Sequence, residues 1–243
     1  DRWDRGPSSL TLPNPSSVPE MFGDTMLCNG TVYPYLDVQP GAYRFRMLNA
    51  CSSRFLNINL FVKDPGSADG INLDATFFPT NPAGPDMVQI GTEGGFLPQA
   101  VTIKSPVAFN PVTMTGNLLL GPAERADVII DFSAFAGQTI LMYSDSPAPF
   151  PSGDPRNDYF YGQDITQNPT PTNPGYGPDT RQILEIRVAN TAPSAPYVVP
   201  QLPTDQQFLV PQTANVPLPP PPGVFVRDLT LNETFDQYGR LIQ

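Results

Sequence analysis

Glu124-Arg125-Ala126-Asp127 places three charges directly ahead of an apolar run that opens at Val128. One chemistry open to such a cluster is proton transfer, with Glu124 or Asp127 as general base. A carboxylate beside a guanidinium is, however, held ionised by the neighbouring positive charge, which suits an ion pair better than a base. Glu124, Arg125 and Asp127 are therefore read as a structural corner at the start of a strand. Further oxygen donors fall in two loops, Asp64, Asp69 and Asp74 in DPGSADGINLD and Asp154, Asn157 and Asp158 in GDPRND. They could bind calcium, but the spacing matches no EF-hand, and Asp, Asn and Gly are ordinary turn material. Six methionines and two cysteines offer soft sulfur to a metal, yet they are scattered and mostly stand where core residues belong. The chain has no histidine, so no serine can be activated by imidazole, and no phosphate-cradling glycine motif is present. Catalysis is not expected from these residues alone.

The elements that position them are short strands. Thr25 to Leu27 leads into Asn29-Gly30, a dipeptide suited to a tight hairpin because both residues tolerate positive φ. Val32 to Val38 follows and ends at Gln39-Pro40-Gly41. Tyr43, Phe45 and Met47 then alternate with Arg44 and Arg46, which predicts a half-buried strand with its charges in water. Phe55, Asn57, Asn59 and Phe61 alternate with Leu56, Ile58 and Leu60. Met87 to Ile90, Ala100 to Ile103, Asn117 to Leu120, Ala126 to Phe132, Thr139 to Tyr143 and Gln182 to Val188 continue the series. Ser133 to Ala136 reads as a single helical turn. Many short strands with frequent turn signals predict an all-β, two-sheet Greek-key sandwich over 20–190, with a long Gly-, Asp-, Asn- and Pro-rich insertion from Val62 to Asp86.

The 32 prolines concentrate in the first twenty residues, in 147–178 and in 193–223, where they forbid helix interiors and central strands. Residues 1–19 and 191–223 read as linkers, the latter ending in a polyproline run from Pro217 to Pro222. Val224 to Leu231 looks like a fresh strand, so 224–243 is expected to open another domain. A net charge of −10 with 13 basic residues argues against nucleic acid as a partner. No apolar run approaches the roughly 20 residues that a membrane helix needs.

The stretch FGDTMLCNGTVYPYLDVQPGAYRFRMLNACSSRF, Phe22 to Phe55, resembles the opening of the middle cupredoxin domain of bacterial multicopper oxidases, the group of the spore-coat laccase, phenoxazinone synthase and bilirubin oxidase. VQIGTEGGFLP at 88–98, GPAERADVIIDF at 121–132 and DQYGR at 236–240 fit the same family in the same order. The resemblance implies a cupredoxin-like Greek-key sandwich with Pro-rich linkers at both ends, cut from linker to linker out of a longer, extracytoplasmic enzyme. Its partners would be the first and third cupredoxin domains of that parent, which would oxidise phenols, pigments or metal ions by single electrons and reduce dioxygen to water.

Copper is implied for the parent and not for this chain, because a blue copper site takes two imidazoles and a thiolate. The family also implies that Met21, Phe22 and the loop Ser144, Asp145, Ser146, Pro147, Ala148, Pro149 border the mouth through which reducing substrate approaches. In a sandwich of this kind the strands ending at Cys28 and Leu48 would lie side by side and run the same way. That would allow a Cys28–Cys51 disulfide, the alternatives being two free thiols or a bond to another domain. A different reading makes the chain an extracellular binding, adhesion or filament module that presents its 62–86 and 144–178 loops.

Overall fold

Period-2 alternation of apolar and polar side chains puts one face of each strand in a shared interior, and two such faces closed on each other make the core of the molecule. The computed structural model describes residues 20–163, 166, 171–193, 195, 197–199, 201–202, 222–223, 234–235 and 241–242. The strands are β1 Leu27–Cys28, β2 Thr31–Val32, β3 Tyr35–Val38, β4 Ala42–Leu48, β5 Leu56–Val62, β6 Met87–Thr92, β7 Gly95–Ile103, β8 Leu118–Leu120, β9 Arg125–Asp131, β10 Thr139–Ser144 and β11 Gln182–Val188. One sheet has the order β3-β11-β10-β5-β8 and the other β4-β9-β6-β7; β3 runs parallel to β11, and the other pairs are antiparallel. This is the all-β, cupredoxin-like sandwich expected from the sequence.

The chain divides into two compact units. One spans Met21–Leu202 and holds both sheets. In the other, Thr234–Phe235 and Leu241–Ile242 pair antiparallel as β12 and β13. The linker expected over 1–19, most of that over 191–223 and the strand expected over 224–231 lie outside the described residues. Among the described residues no helix is long and apolar enough to cross a membrane.

Leu56, Ile58, Leu60, Ile140, Met142, Ile186 and Val188 of the first sheet pack against Met87, Val128 and Ile130 of the second. The first sheet is also covered on its outer face. There Phe61, Leu141 and Tyr143 form a smaller cluster with Ile71 of the insertion, and Phe61 meets Tyr143 and Phe78 edge-on at 5.9 and 5.7 Å. Such aromatic pairs add about 0.5–1.5 kcal/mol beyond the burial of area. The 62–86 insertion is thus packed structure. Asn81, itself buried, pins its base by donating to Val62 O and Gly70 O at 3.0 and 2.9 Å while accepting from Asn72 N at 2.7 Å.

The Asn29-Gly30 hairpin forms as expected, with φ of 50° and 79° between the pairs Cys28↔Thr31 and Leu27↔Val32. Two expectations are corrected. The strand read as Val32 to Val38 is two strands, because Tyr33 has φ 45° and Pro34 lacks a donor, so the chain leaves the β1–β2 ribbon there and joins the large sheet as β3. Cys28 and Cys51 are free thiols. The disulfide required β1 beside β4, but β1 pairs with β2 and β4 with β9, while Cys51 packs against the main core. Burial raises both thiol pKa values, which favours the protonated form.

Candidate functional site

The end of β10 sets Ser144 in the interior, and the proline-rich chain after it turns outward over the sheet. Asp145, Pro147 and Ala148 of this loop line a cavity of about 310 Å³, with Phe77 of the insertion, Asp158, Phe160 and Arg181 among the other walls. Asn57 of β5 fixes the loop from below, its amide donating to Asp145 Oδ1 at 2.6 Å while Phe109 N donates to Oδ2 at 2.8 Å. Burial raises the Asp145 pKa against these bonds. Ser146 Oγ is buried and takes no protein partner.

The opposite wall is a charge pair. Arg181 donates twice to Asp158 Oδ2, from Nη2 at 2.6 Å and Nε at 3.0 Å, and once to Phe77 O at 2.8 Å. Its guanidinium lies 3.8 Å over the Phe160 ring, and Thr180 Oγ1 donates to the other oxygen of Asp158 at 2.8 Å. Burial pushes the Asp158 pKa up, but the charge and hydrogen bonds of Arg181 carry it below the usual carboxylate range. The recess offers carboxylate oxygens and aromatic faces, so it can bind. Its walls hold no imidazole, thiol or lysine that would act as a nucleophile.

Of the residues expected at a substrate mouth, Met21 and Phe22 do not line this cavity. Met21 is 58% exposed, whereas Phe22 is buried. Arg54 instead ties the Phe22-Gly23 segment to Asn157, beyond the expected 144–149 border. Arg54 is 2% exposed; it donates to Gly23 O at 3.2 Å and to Asn157 O at 2.7 Å, with longer contacts to Phe22 O. Burial lowers the Arg54 pKa, and the nearby Asp158 opposes that shift. Sequence reasoning missed Arg54, Asp158 and Arg181 as a group; an arginine that follows two serines carries no sign that it is buried.

The corner residues are in place, but their partners come from outside the motif. Asp127 receives Arg44 of β4 at 2.8 and 2.5 Å, Arg125 pairs with Glu93 of the β6–β7 hairpin, and Glu124 accepts from Gly121 N at 2.6 Å. Each charge therefore ties the start of β9 to a different neighbour. Asp64 and Asp74 are spent on turns, accepting from Gly66 N and from Thr76 N at 2.8 and 2.7 Å. Among the described residues no cluster of three or more acidic or cysteine side chains could hold a metal ion.

Copper fits these residues poorly. Met26, Met87 and Met142 are core side chains, Met21 and Met114 are exposed, and the two thiols sit on separate strands or loops without a third donor. No family model matches the chain. It is 40% identical over 134 residues to a laccase of Bacillus subtilis, a match covering 55% of this chain and 20% of that protein. To a laccase of Bacillus stratosphericus it is 36% identical over 236 residues, covering 97% of this chain and 34% of the laccase. The chain thus spans about a third of that relative's length. A solved structure, the McoA multicopper oxidase 2F4 variant of Aquifex aeolicus, aligns over 78% of this chain and 32% of its own, at 23% identity and a TM-score of 0.44.

Proposed function

This chain is a domain of the bacterial laccase-like multicopper oxidases, and from that premise we propose that it is their central, copper-free cupredoxin-like domain. The observation that carries the reading is a chain aligned with a laccase over 97% of its length that contains no histidine. A blue copper centre takes two imidazoles and a thiolate, so its ligands must come from other parts of the parent protein. The role of this domain is then architectural. It holds a first and a third cupredoxin domain so that their copper centres form, and it lends the recess beside Asp145–Ala148 to the wall of the substrate mouth.

The parent, on this reading, is an extracytoplasmic enzyme that takes single electrons from phenols, pigments or metal ions and reduces dioxygen to water. The test is copper loading of the purified 243-residue chain. No visible charge-transfer band and no oxidation of a phenolic probe are expected, while the parent gene should encode His-x-His pairs upstream and a His-Cys-His segment downstream. A blue band from the isolated chain, or a parent gene without those motifs on either side of this segment, would sink the assignment.

A further inference from the structure

The fold uses Asn29-Gly30 only as a turn, yet nowhere else in the chain does an asparagine precede glycine. Asn14, Asn81, Asn110, Asn168 and Asn173 stand before proline, which has no N–H, and the remaining asparagines stand before residues whose side chains shield the next backbone nitrogen. Gly30 offers no such shield. Asn29 is exposed, and a Cβ built on Gly30 would meet no atom within 4 Å. The ribbon closed by this turn has the pairs Cys28↔Thr31 and Leu27↔Val32, so the backbone nitrogen of Gly30 lies outside the ladder. A two-stranded ribbon that short is marginal by itself and opens locally.

We propose that Asn29 is a self-modifying site, converted to aspartate and isoaspartate by the backbone nitrogen of Gly30. That nitrogen bonds to Asn29 Cγ as the Cγ–Nδ2 bond breaks, its proton leaves with the released ammonia, and a five-membered succinimide remains. Water then adds across one of the two imide C–N bonds. Opening at Cγ restores the ordinary main chain as aspartate, and opening at the Asn29 backbone carbonyl leaves Gly30 attached through Cγ as isoaspartate. Water is the only other reactant.

Either product exchanges a neutral amide for a carboxylate, adding one negative charge to the formal −10. Asp-Gly suits the same turn, so the aspartate form keeps the hairpin. Isoaspartate routes the main chain through its side chain and lengthens the link between Cys28 and Thr31, so a turn with φ of 50° and 79° no longer closes that pair. Met26 stays in the core, and the loosening is confined to the ribbon beyond it. Asp69-Gly70 is a competitor for the same ring closure, but its carboxyl accepts from Gly175 N and Gln182 Nε2 and Gly70 N donates to Ser67 O at 3.3 Å. Closure there would expel water in place of ammonia and leave the charge unchanged. The inference does not depend on the copper assignment.

Incubation of the 243-residue chain at mildly alkaline pH, followed by charge-resolved chromatography and peptide mapping, tests it. Conversion at residue 29 should exceed that at any other asparagine several-fold, and it should quicken as pH rises because the attacking nitrogen must lose its proton. Asn29→Gln, which would have to close a six-membered ring, should slow the gain of charge several-fold. Another asparagine leading, conversion spread evenly among them, or none at residue 29 would overturn the site, and this mapping needs only the unmutated chain. In the separated isoaspartate form, hydrogen-exchange protection of the 27–32 ribbon should fall several-fold while the aspartate form and β9 and β10 keep theirs. Equal protection in the two forms would overturn the loosening.

Discussion

Arg54 is among the largest fully buried side chains, and it satisfies carbonyl oxygens rather than a directly bonded carboxylate. Arg54→Met would keep much of its volume and strand the carbonyls of Gly23 and Asn157, at an expected cost of about 2–4 kcal/mol. A shift of the urea midpoint at unchanged slope measures this; a shift too small to resolve would mean that water replaces the guanidinium. Asp158→Asn should cost about 3–5 kcal/mol, because it leaves Arg181 buried and unpaired. The double variant with Arg181→Met should recover part of that loss, and additive losses would show that the pair is not coupled. The charges of the Glu124-Arg125-Ala126-Asp127 corner were visible in the sequence because they stand together, although their partners were not. Arg54 gave no such sign. Its strongest partner is Asn157, 103 residues further along, in a stretch that reads only as turn.

At the level of strands, alternation of side chains located nearly every element, since it reports which residues share a face. It does not report whether the second face is dry. Asn57 and Asn59 read as the polar side of β5, yet both are fully buried under the 105–109 segment. Asn59 Oδ1 accepts from Val107 N at 2.8 Å, and both asparagine amides donate to Val107 O, at 3.0 and 3.1 Å. Asn57→Ala would remove bonds to Val107, Asp145 and Asn117 together and is expected to destabilise the fold by about 2–3 kcal/mol. Denaturant unfolding of that variant checks the figure, and a neutral result would show the outer face to be hydrated. The β1–β2 hairpin, by contrast, was legible from two residues. Gly30→Ala, at φ 79°, should cost about 1 kcal/mol without altering the sheets, as thermal unfolding and circular dichroism together would show.

For the molecule as a whole, pH acts on buried carboxyls in opposite senses. Asp158, with its pKa lowered, contributes stability above the unfolded aspartate value of about 3.9, and the contribution is lost as pH falls through the folded value. Asp179 and Asp145 have raised values, so folding favours their protonated forms, and stability declines as pH climbs from about 4 toward the folded pKa. A formal net charge of −10 at pH 7 works in the same direction as Asp179, since self-repulsion grows as the remaining carboxyls ionise. Stability should therefore peak on the acid side of neutrality. From that peak to pH 8 stability and Tm should both fall. Calorimetry across pH 4 to 8.5 at constant ionic strength would reveal it. Asp179→Asn removes the titrating group while the general repulsion remains, so it should flatten most of the alkaline limb and leave in place the acid limb, to which Asp158 and the other carboxyls of lowered pKa contribute. A maximum at or above pH 7 in the wild type, or an alkaline limb unchanged in the variant, would assign the pH dependence to surface charge instead.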